Sequence, residues 1–176
     1  MDNLTLERIK TAHPKLKDEL SAIYTKINTV LTGKAVCRFA YVIRTFAEQK
    51  EIYAQGRTKL YDASGKRLGI VTKAAPGWSL HNYGLAVDIV LLKDTNGDGK
   101  FETASWENTV DFDKDGKADW MEIVEIFKEH GWKWGGDFKE LKDTPHFEKS
   151  FGYSVKDLLA KYNAKDFISG TTYVNI

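Results

Sequence analysis

The chain has 176 residues, 42% of them hydrophobic, which is enough to bury a sizeable core and typical of one domain. Lys and Arg total 26 against 25 Asp and Glu, and a formal net charge of +1 argues against a dedicated nucleic-acid binder. No apolar run is long enough to span a bilayer, and the single Cys37 excludes an intrachain disulfide.

Residues 4–12 read as a short helix stopped at His13-Pro14. From Leu16 onward, Leu20, Ile23, Tyr24, Ile27, Val30 and Leu31 keep helical spacing until Gly33 ends the pattern. The apolar run Ala35 to Ile43 reads as a buried strand with Cys37 as a small core residue, and it delivers Arg44 at its end. Taken alone, Arg44 is either a fixed positive charge for a reaction or the partner of a carboxylate. Thr45-Phe46-Ala47-Glu48 is a capping box that opens a helix through Tyr53, ending near Gly56, with Gln49 and Tyr53 on one face. A long loop follows from Arg57 to Trp78, which reads as a cleft wall or as ordinary surface.

The next stretch, Ser79-Leu80-His81-Asn82-Tyr83-Gly84, runs into Leu85 to Leu92, a nearly continuous apolar segment that reads as a strand buried on both faces. An ionised Asp88 inside such a strand is costly without a partner, and a coordinated cation removes that cost. Gly84 permits a tight turn that brings His81 and Asp88 towards one point. Later, Pro145 holds Thr144 extended, so His146-Phe147-Glu148 begins another strand. Two imidazoles and one carboxylate suit a catalytic zinc, which takes three protein ligands and leaves a position to water. A separate carboxylate must accept that water's proton, and Asp143 is the spare one. Each piece by itself also fits a hydrogen-bonded histidine or a capping aspartate.

Residues 93–118 read as an acidic insertion containing Asp94-Thr95-Asn96-Gly97-Asp98-Gly99 and Asp111-Phe112-Asp113-Lys114-Asp115-Gly116. Continued to Asp119 and Glu122, the second has the carboxylates and glycine of a calcium loop, whereas the first has Ser105 at the final position. Asp119-Trp120-Met121-Glu122 reads equally as a helix capping box, which makes a metal-free hairpin insertion the alternative. No helix precedes the loop, so a paired EF-hand is not expected. The helix from Asp119 to His130 buries Trp120, Ile123, Val124 and Phe127 and stops at Gly131. Trp132 and Trp134 fall in an extended segment, read as facing opposite ways and as core packing. Glu148 shares a strand face with His146, where it either orients that ring or is a surface charge. Ser154 caps a last helix along Val155, Leu158, Leu159 and Tyr162, and Thr171 to Val174 is a candidate edge strand. His13 and His130 have no patterned carboxylate or second ligand nearby and read as structural or exposed.

Ser79-x-His81-x-x-Gly84-x-Ala86-x-Asp88 followed by Asp143-x-x-His146 resembles the zinc peptidase family of D-alanyl-D-alanine carboxypeptidases, D-alanyl-D-alanine dipeptidases and phage L-alanyl-D-glutamate endolysins, with the hedgehog signalling domain as a distant relative. Ile43-Arg44-Thr45 with Gln49, Tyr53-Ala54-Gln55-Gly56-Arg57-Thr58 and Gly131-Trp132-x-Trp134-Gly135-Gly136-Asp137 extend the resemblance over residues 14–150. It implies that His81, Asp88 and His146 hold zinc, that Asp143 is the general base, that Arg44 stabilises the tetrahedral intermediate and that Ser79 lines the substrate site. The carboxypeptidase branch carries Glu at the base position and Trp before the last His. Asp143 and Pro145 resemble the L-alanyl-D-glutamate endopeptidase branch instead.

The expectation is therefore an α+β fold, helices on a small, mostly antiparallel sheet carrying a zinc site, as one domain over 1–162 with a tail at 163–176. The implied activity is endolysin-type hydrolysis of the bacterial peptidoglycan stem peptide at L-alanyl-D-glutamate, by a monomer with zinc and no nucleic-acid or membrane partner. Calcium at Asp111, Asp113, Asp115, Asp119 and Glu122 is the second cofactor expectation. A D-alanyl-D-alanine carboxypeptidase and a non-catalytic zinc-bearing binding module are the rival readings. The opening Met1-Asp2-Asn3-Leu4-Thr5 lacks signal-peptide character, which implies cytoplasmic synthesis and action on the wall after release.

Overall fold

The structure is a computed structural model describing residues 1–176. Helices α1 (Asn3–Lys10) and α2 (Lys17–Val30) lead into strand β1 (Ala35–Tyr41), helix α3 (Phe46–Ala54) and strand β2 (Ala86–Lys93). Strand β3 (Thr103–Ser105), helix α4 (Asp119–Glu129), strands β4 (Lys133–Trp134) and β5 (His146–Glu148) and helix α5 (Val155–Asn163) complete the chain. Most elements are those expected from the apolar spacing, with ends shifted by one or two residues; β3, inside the acidic insertion, is not among them. Both capping boxes form: Thr45 with Glu48 opens α3, and Ser154 with Asp157 opens α5.

The sheet runs β1-β2-β5-β4, and every pairing is antiparallel. One edge of β2 pairs with β1 along its length. The other edge is divided, because Ala86, Val87 and Asp88 face β5 while Leu91, Leu92 and Lys93 face β3. β2 is thus the central strand, and its side chains are buried on both faces, as its unbroken apolar sequence requires. A register shift between Phe39 and Tyr41 bulges β1 where it passes Asp88, and such bulges bend a strand and re-aim its side chains. β1 alternates instead, with Ala35, Cys37 and Phe39 turned into the core.

The core joins α2 and α4 to the sheet. Phe127 of α4 stacks on Phe147 of β5 with ring centroids 4.2 Å apart, and Phe39 and Trp132 close around Phe127. Trp132 and Trp134 are both buried, on the same side of their extended segment, because residues two apart in extended chain share a face. Each indole N–H finds an acceptor, Trp132 at Glu19 (2.6 Å) and Trp134 at the Thr144 carbonyl (2.7 Å).

The tail packs against the domain: Val174 is buried, and its carbonyl accepts a hydrogen bond from the fully buried His13 ring. Thr171 to Val174 adds no strand to the sheet, since only a bridge between Phe167 and Val174 forms there. No helix is long and apolar enough to cross a membrane.

Phe127 is the contact through which α4 presses on the strand carrying His146. Phe127→Ala is expected to cost about 3–5 kcal/mol by denaturant unfolding. A cost under about 1 kcal/mol would show that the stack is not central to the packing.

Candidate active site

His81 lies in a 3₁₀ turn, Leu80–Tyr83, held by a network around Asn82. The Asn82 amide donates to the Arg44 carbonyl (2.8 Å), its side-chain oxygen accepts from the Gly77 N–H (2.9 Å), and the Arg44 N–H donates to the His81 carbonyl (3.0 Å). Gly84 closes the turn at φ +67°, and a Cβ there would lie 2.7 Å from the His13 nitrogen, so only glycine fits without displacing the backbone. Nothing in the sequence pattern marked Asn82. Its signal would have been a buried amide beside an irregular turn whose backbone groups need partners.

Three side chains far apart in sequence meet at the junction of this turn with β2 and β5. His81 Nε2 is 3.1 Å from Asp88 Oδ1, His146 Nδ1 is 3.0 Å from the same oxygen, and the two nitrogens are 3.3 Å apart. The pairing of β2 with β5 sets Asp88 directly opposite His146.

Donors tetrahedrally placed on zinc at about 2.0–2.1 Å lie roughly 3.3 Å from one another, so this triangle and its N,N,O chemistry fit that ion. The remaining ring nitrogens are committed elsewhere. His81 Nδ1 is 2.9 Å from the Val42 carbonyl, which can only accept, so Nδ1 carries the proton and the Nε2 lone pair faces the triangle. His146 Nε2 is 3.3 Å from Glu148 Oε2, which orients the second ring in the same way.

The electrostatics follow from this crowding. Burial opposes ionisation of Asp88, but contact with the His146 and His81 rings outweighs it and holds the carboxyl below the usual range. Burial likewise opposes protonation of His146, yet hydrogen bonds to Asp88 and Glu148 push it up to about 9.

Asp143 sits on the rim, its backbone N–H bonded to the Gly135 carbonyl (3.0 Å) and its own carbonyl accepting from His146 N–H (3.1 Å). A Cβ at Gly135 would meet the Asp143 carbonyl oxygen at 2.3 Å, so the chain turns here only because that position is bare. The Asp143 carboxyl is raised by desolvation and by the charge of Asp88, while His146, His81 and Arg44 pull it down.

Arg44 approaches from the opposite side, with Nη2 3.6 Å from Asp88 Oδ2 and Nη1 3.1 Å from Gln49 Oε1. Of its two sequence readings the structure shows the pairing, and the carboxylate it faces is Asp88. Gln49 is itself buried and anchored to the Ala74 carbonyl (2.8 Å), which fixes the guanidinium.

Ser79 lines a cleft of about 360 Å³ together with Trp78, Lys133, His146, Glu148 and Tyr153. Ala74 and Trp78 bring the end of the long 57–78 loop into that wall. A second, more apolar cleft of about 440 Å³ opens beside Arg44, between Tyr41, Ile52 and Val71.

Residues 72–149 match the sequence profile of the family described as D-alanyl-D-alanine carboxypeptidase. The peptidoglycan L-alanyl-D-glutamate endopeptidase CwlK of Bacillus subtilis (strain 168) is 48% identical over 105 residues, 60% of this chain. Those residues make up 55% of CwlK, so the chain spans about half the length of the curated relative it matches. The crystal structure of Serratia marcescens L-Ala D-Glu endopeptidase ChiX shares the fold, with a TM-score of 0.50 and 21% identity across 84% of this chain and 87% of that one.

Glu148 holds the ring of His146 and is not one of the three converging donors. Glu148→Gln is expected to weaken zinc binding about 10- to 100-fold in a competition titration against a chelator, while the fold is retained. Unchanged affinity would make Glu148 a plain surface charge.

Proposed function

We propose that this chain, whose residues 72–149 match the profile of the D-alanyl-D-alanine carboxypeptidase family, is a zinc-dependent peptidoglycan peptidase that cuts stem peptides at L-alanyl-D-glutamate. The convergence of His81 Nε2, Asp88 Oδ1 and His146 Nδ1 beside the free carboxyl of Asp143 is the observation that carries this reading. Held by the three donors, zinc supplies a Lewis acid that polarises a carbonyl and lowers the pKa of water.

The protein's own groups do the rest. The Asp143 carboxylate accepts the proton of the attacking water and returns it to the nitrogen of the departing amine. Desolvation, with the Asp88 charge, raises its affinity for that proton above that of an ordinary carboxylate. The Arg44 guanidinium, fixed by Gln49, donates to the oxygen on which charge develops. Val42 and Glu148 hold the imidazoles through their outer nitrogens. His146 borders the Ser79 cleft and Arg44 borders the second cleft, so two clefts are available to a peptide bound at the triangle.

The relative that is 48% identical is named for the alanyl-glutamate bond, which favours that bond over terminal D-alanyl-D-alanine. Lys133 places a cation in the cleft beside His146, where the free carboxylate on the leaving residue of either substrate can be met.

Asp143→Ala is expected to lower lysis of purified sacculi by about 10²–10⁴-fold while zinc content is unchanged. Full activity in that variant would remove Asp143 from the reaction. Mass spectrometry of the digested muropeptides separates the two bonds: loss of terminal alanine alone, with alanyl-glutamate intact, identifies a carboxypeptidase. Lys133→Met is expected to raise KM several-fold with kcat little altered, and an unchanged KM would show that Lys133 does not contact substrate.

A further inference from the structure

Three acidic side chains meet in the loop before α4, two more, Asp119 and Glu122, stand in its first turn, and the peptidase site uses none of them. Ligand oxygens of Asp111, Asp113 and Asp115 lie within 4.8 Å of one another. Asp119 is completely buried and Glu122 is 7% exposed, yet Asp119 Oδ2 and Glu122 Oε2 each lack any hydrogen-bond partner. Carboxylates in that condition are costly unless a cation completes them. No lysine or arginine pairs with any of the five.

The capping-box alternative does not hold. The N-cap of α4 is Ala118, without a side-chain cap bond, and Asp119 Oδ1 instead accepts from the Phe112 N–H at 2.8 Å. The second oxygens of Asp119 and Glu122 are thus left without a role in the helix start. Both residues feel the exposed cluster. Burial raises the Asp119 carboxyl and the charges of Asp113 and Asp111 raise it further. Burial and then Asp115, Asp113 and Asp119 push Glu122 up to about 7.

We propose that Asp111, Asp113, Asp115, Asp119 and Glu122 form a calcium site that fastens the first turn of α4 to the loop before it. The donors are all oxygen, which selects a hard cation over zinc. Their number and loop spacing suit calcium, whose ligands stand at about 2.3–2.6 Å in a flexible shell, better than magnesium with its small octahedron. The loop pattern assigns a further carbonyl oxygen to Lys117, and Gly116 takes the sharp turn at φ +100°. Asp113 also accepts from the Thr32 N–H (2.9 Å) and hydroxyl (2.7 Å), so the ion ties the turn between α2 and β1 to α4 as well. The sister loop at Asp94 differs at its end. Asp94, like Asp111, accepts from two amides of its own loop, but the last position there is the Ser105 hydroxyl, bonded to Glu107, where the second loop has the unpartnered Glu122 oxygen.

The test uses the full chain loaded with zinc and freed of calcium by a selective chelator, titrated with calcium chloride by calorimetry and followed by thermal unfolding. One site half-saturated at or below about 1 mM is expected, with the unfolding midpoint rising by about 5–10 °C at a hundredfold excess over Kd. Asp115→Asn, at an exposed position, should lose the shift while keeping its zinc. Glu122→Gln should lose it too and, without calcium, unfold no lower than the parent, because an unpaired buried charge has been removed. Absence of a saturable response up to about 1 mM, an equal response to magnesium, or a shift that survives in Asp115→Asn would each overturn the site.

Discussion

The architecture turns on one ionised group in the middle of a sheet. Asp88 occupies the central strand, flanked on both faces by apolar residues, where a carboxylate without compensation would be expelled or protonated. Two imidazoles reach it at 3.1 and 3.0 Å, and the guanidinium of Arg44 stands at 3.6 Å. The irregular features nearby serve that meeting. The bulge in β1 sets Tyr41 opposite Asp88, the left-handed Gly84 returns the chain from the His81 turn into β2, and the pairing of β5 brings His146 across from Asp88.

The same need for compensation recurs at the start of α4 with a different outcome. Asp88 is surrounded by nitrogen donors and cations, while Asp119 and Glu122 are surrounded by other carboxylates. Nitrogen-rich company suits a borderline-soft ion such as zinc, and oxygen-only company a hard one. The two ends of the molecule are joined through α4, whose Phe127 stacks on Phe147 between His146 and Glu148.

Much of this was legible before the chain was folded. A single acid in an unbroken apolar run, a histidine seven residues ahead of it and a histidine after an X-Pro step carry a physical contradiction that a bound cation resolves. Capping boxes at Thr45 and Ser154 were equally readable, because their partners are local in sequence. What escaped depended on long-range backbone placement. The Val42 carbonyl that fixes the His81 tautomer has no side-chain signature, and Asn82 becomes a brace only once Arg44 and Gly77 are beside it. Asp119 to Glu122 has the letters of a capping box, but the helix begins one residue earlier than that motif requires, with Ala118 at the N-cap, so the letters describe a different job. Trp132 and Trp134 were misassigned to opposite sides when alternation in extended chain puts them together.

The divided edge of β2 separates two kinds of change. Its first half is committed to β5 and the reacting groups, and its second half to β3 and the acidic excursion beyond it. Lengthening, trimming or replacing residues 94–102 alters what hangs from the far half, while the register at Asp88 is fixed independently by β1 and β5. The strand therefore insulates the chemistry from the excursion, and new surface can be grafted there without re-tuning the catalyst.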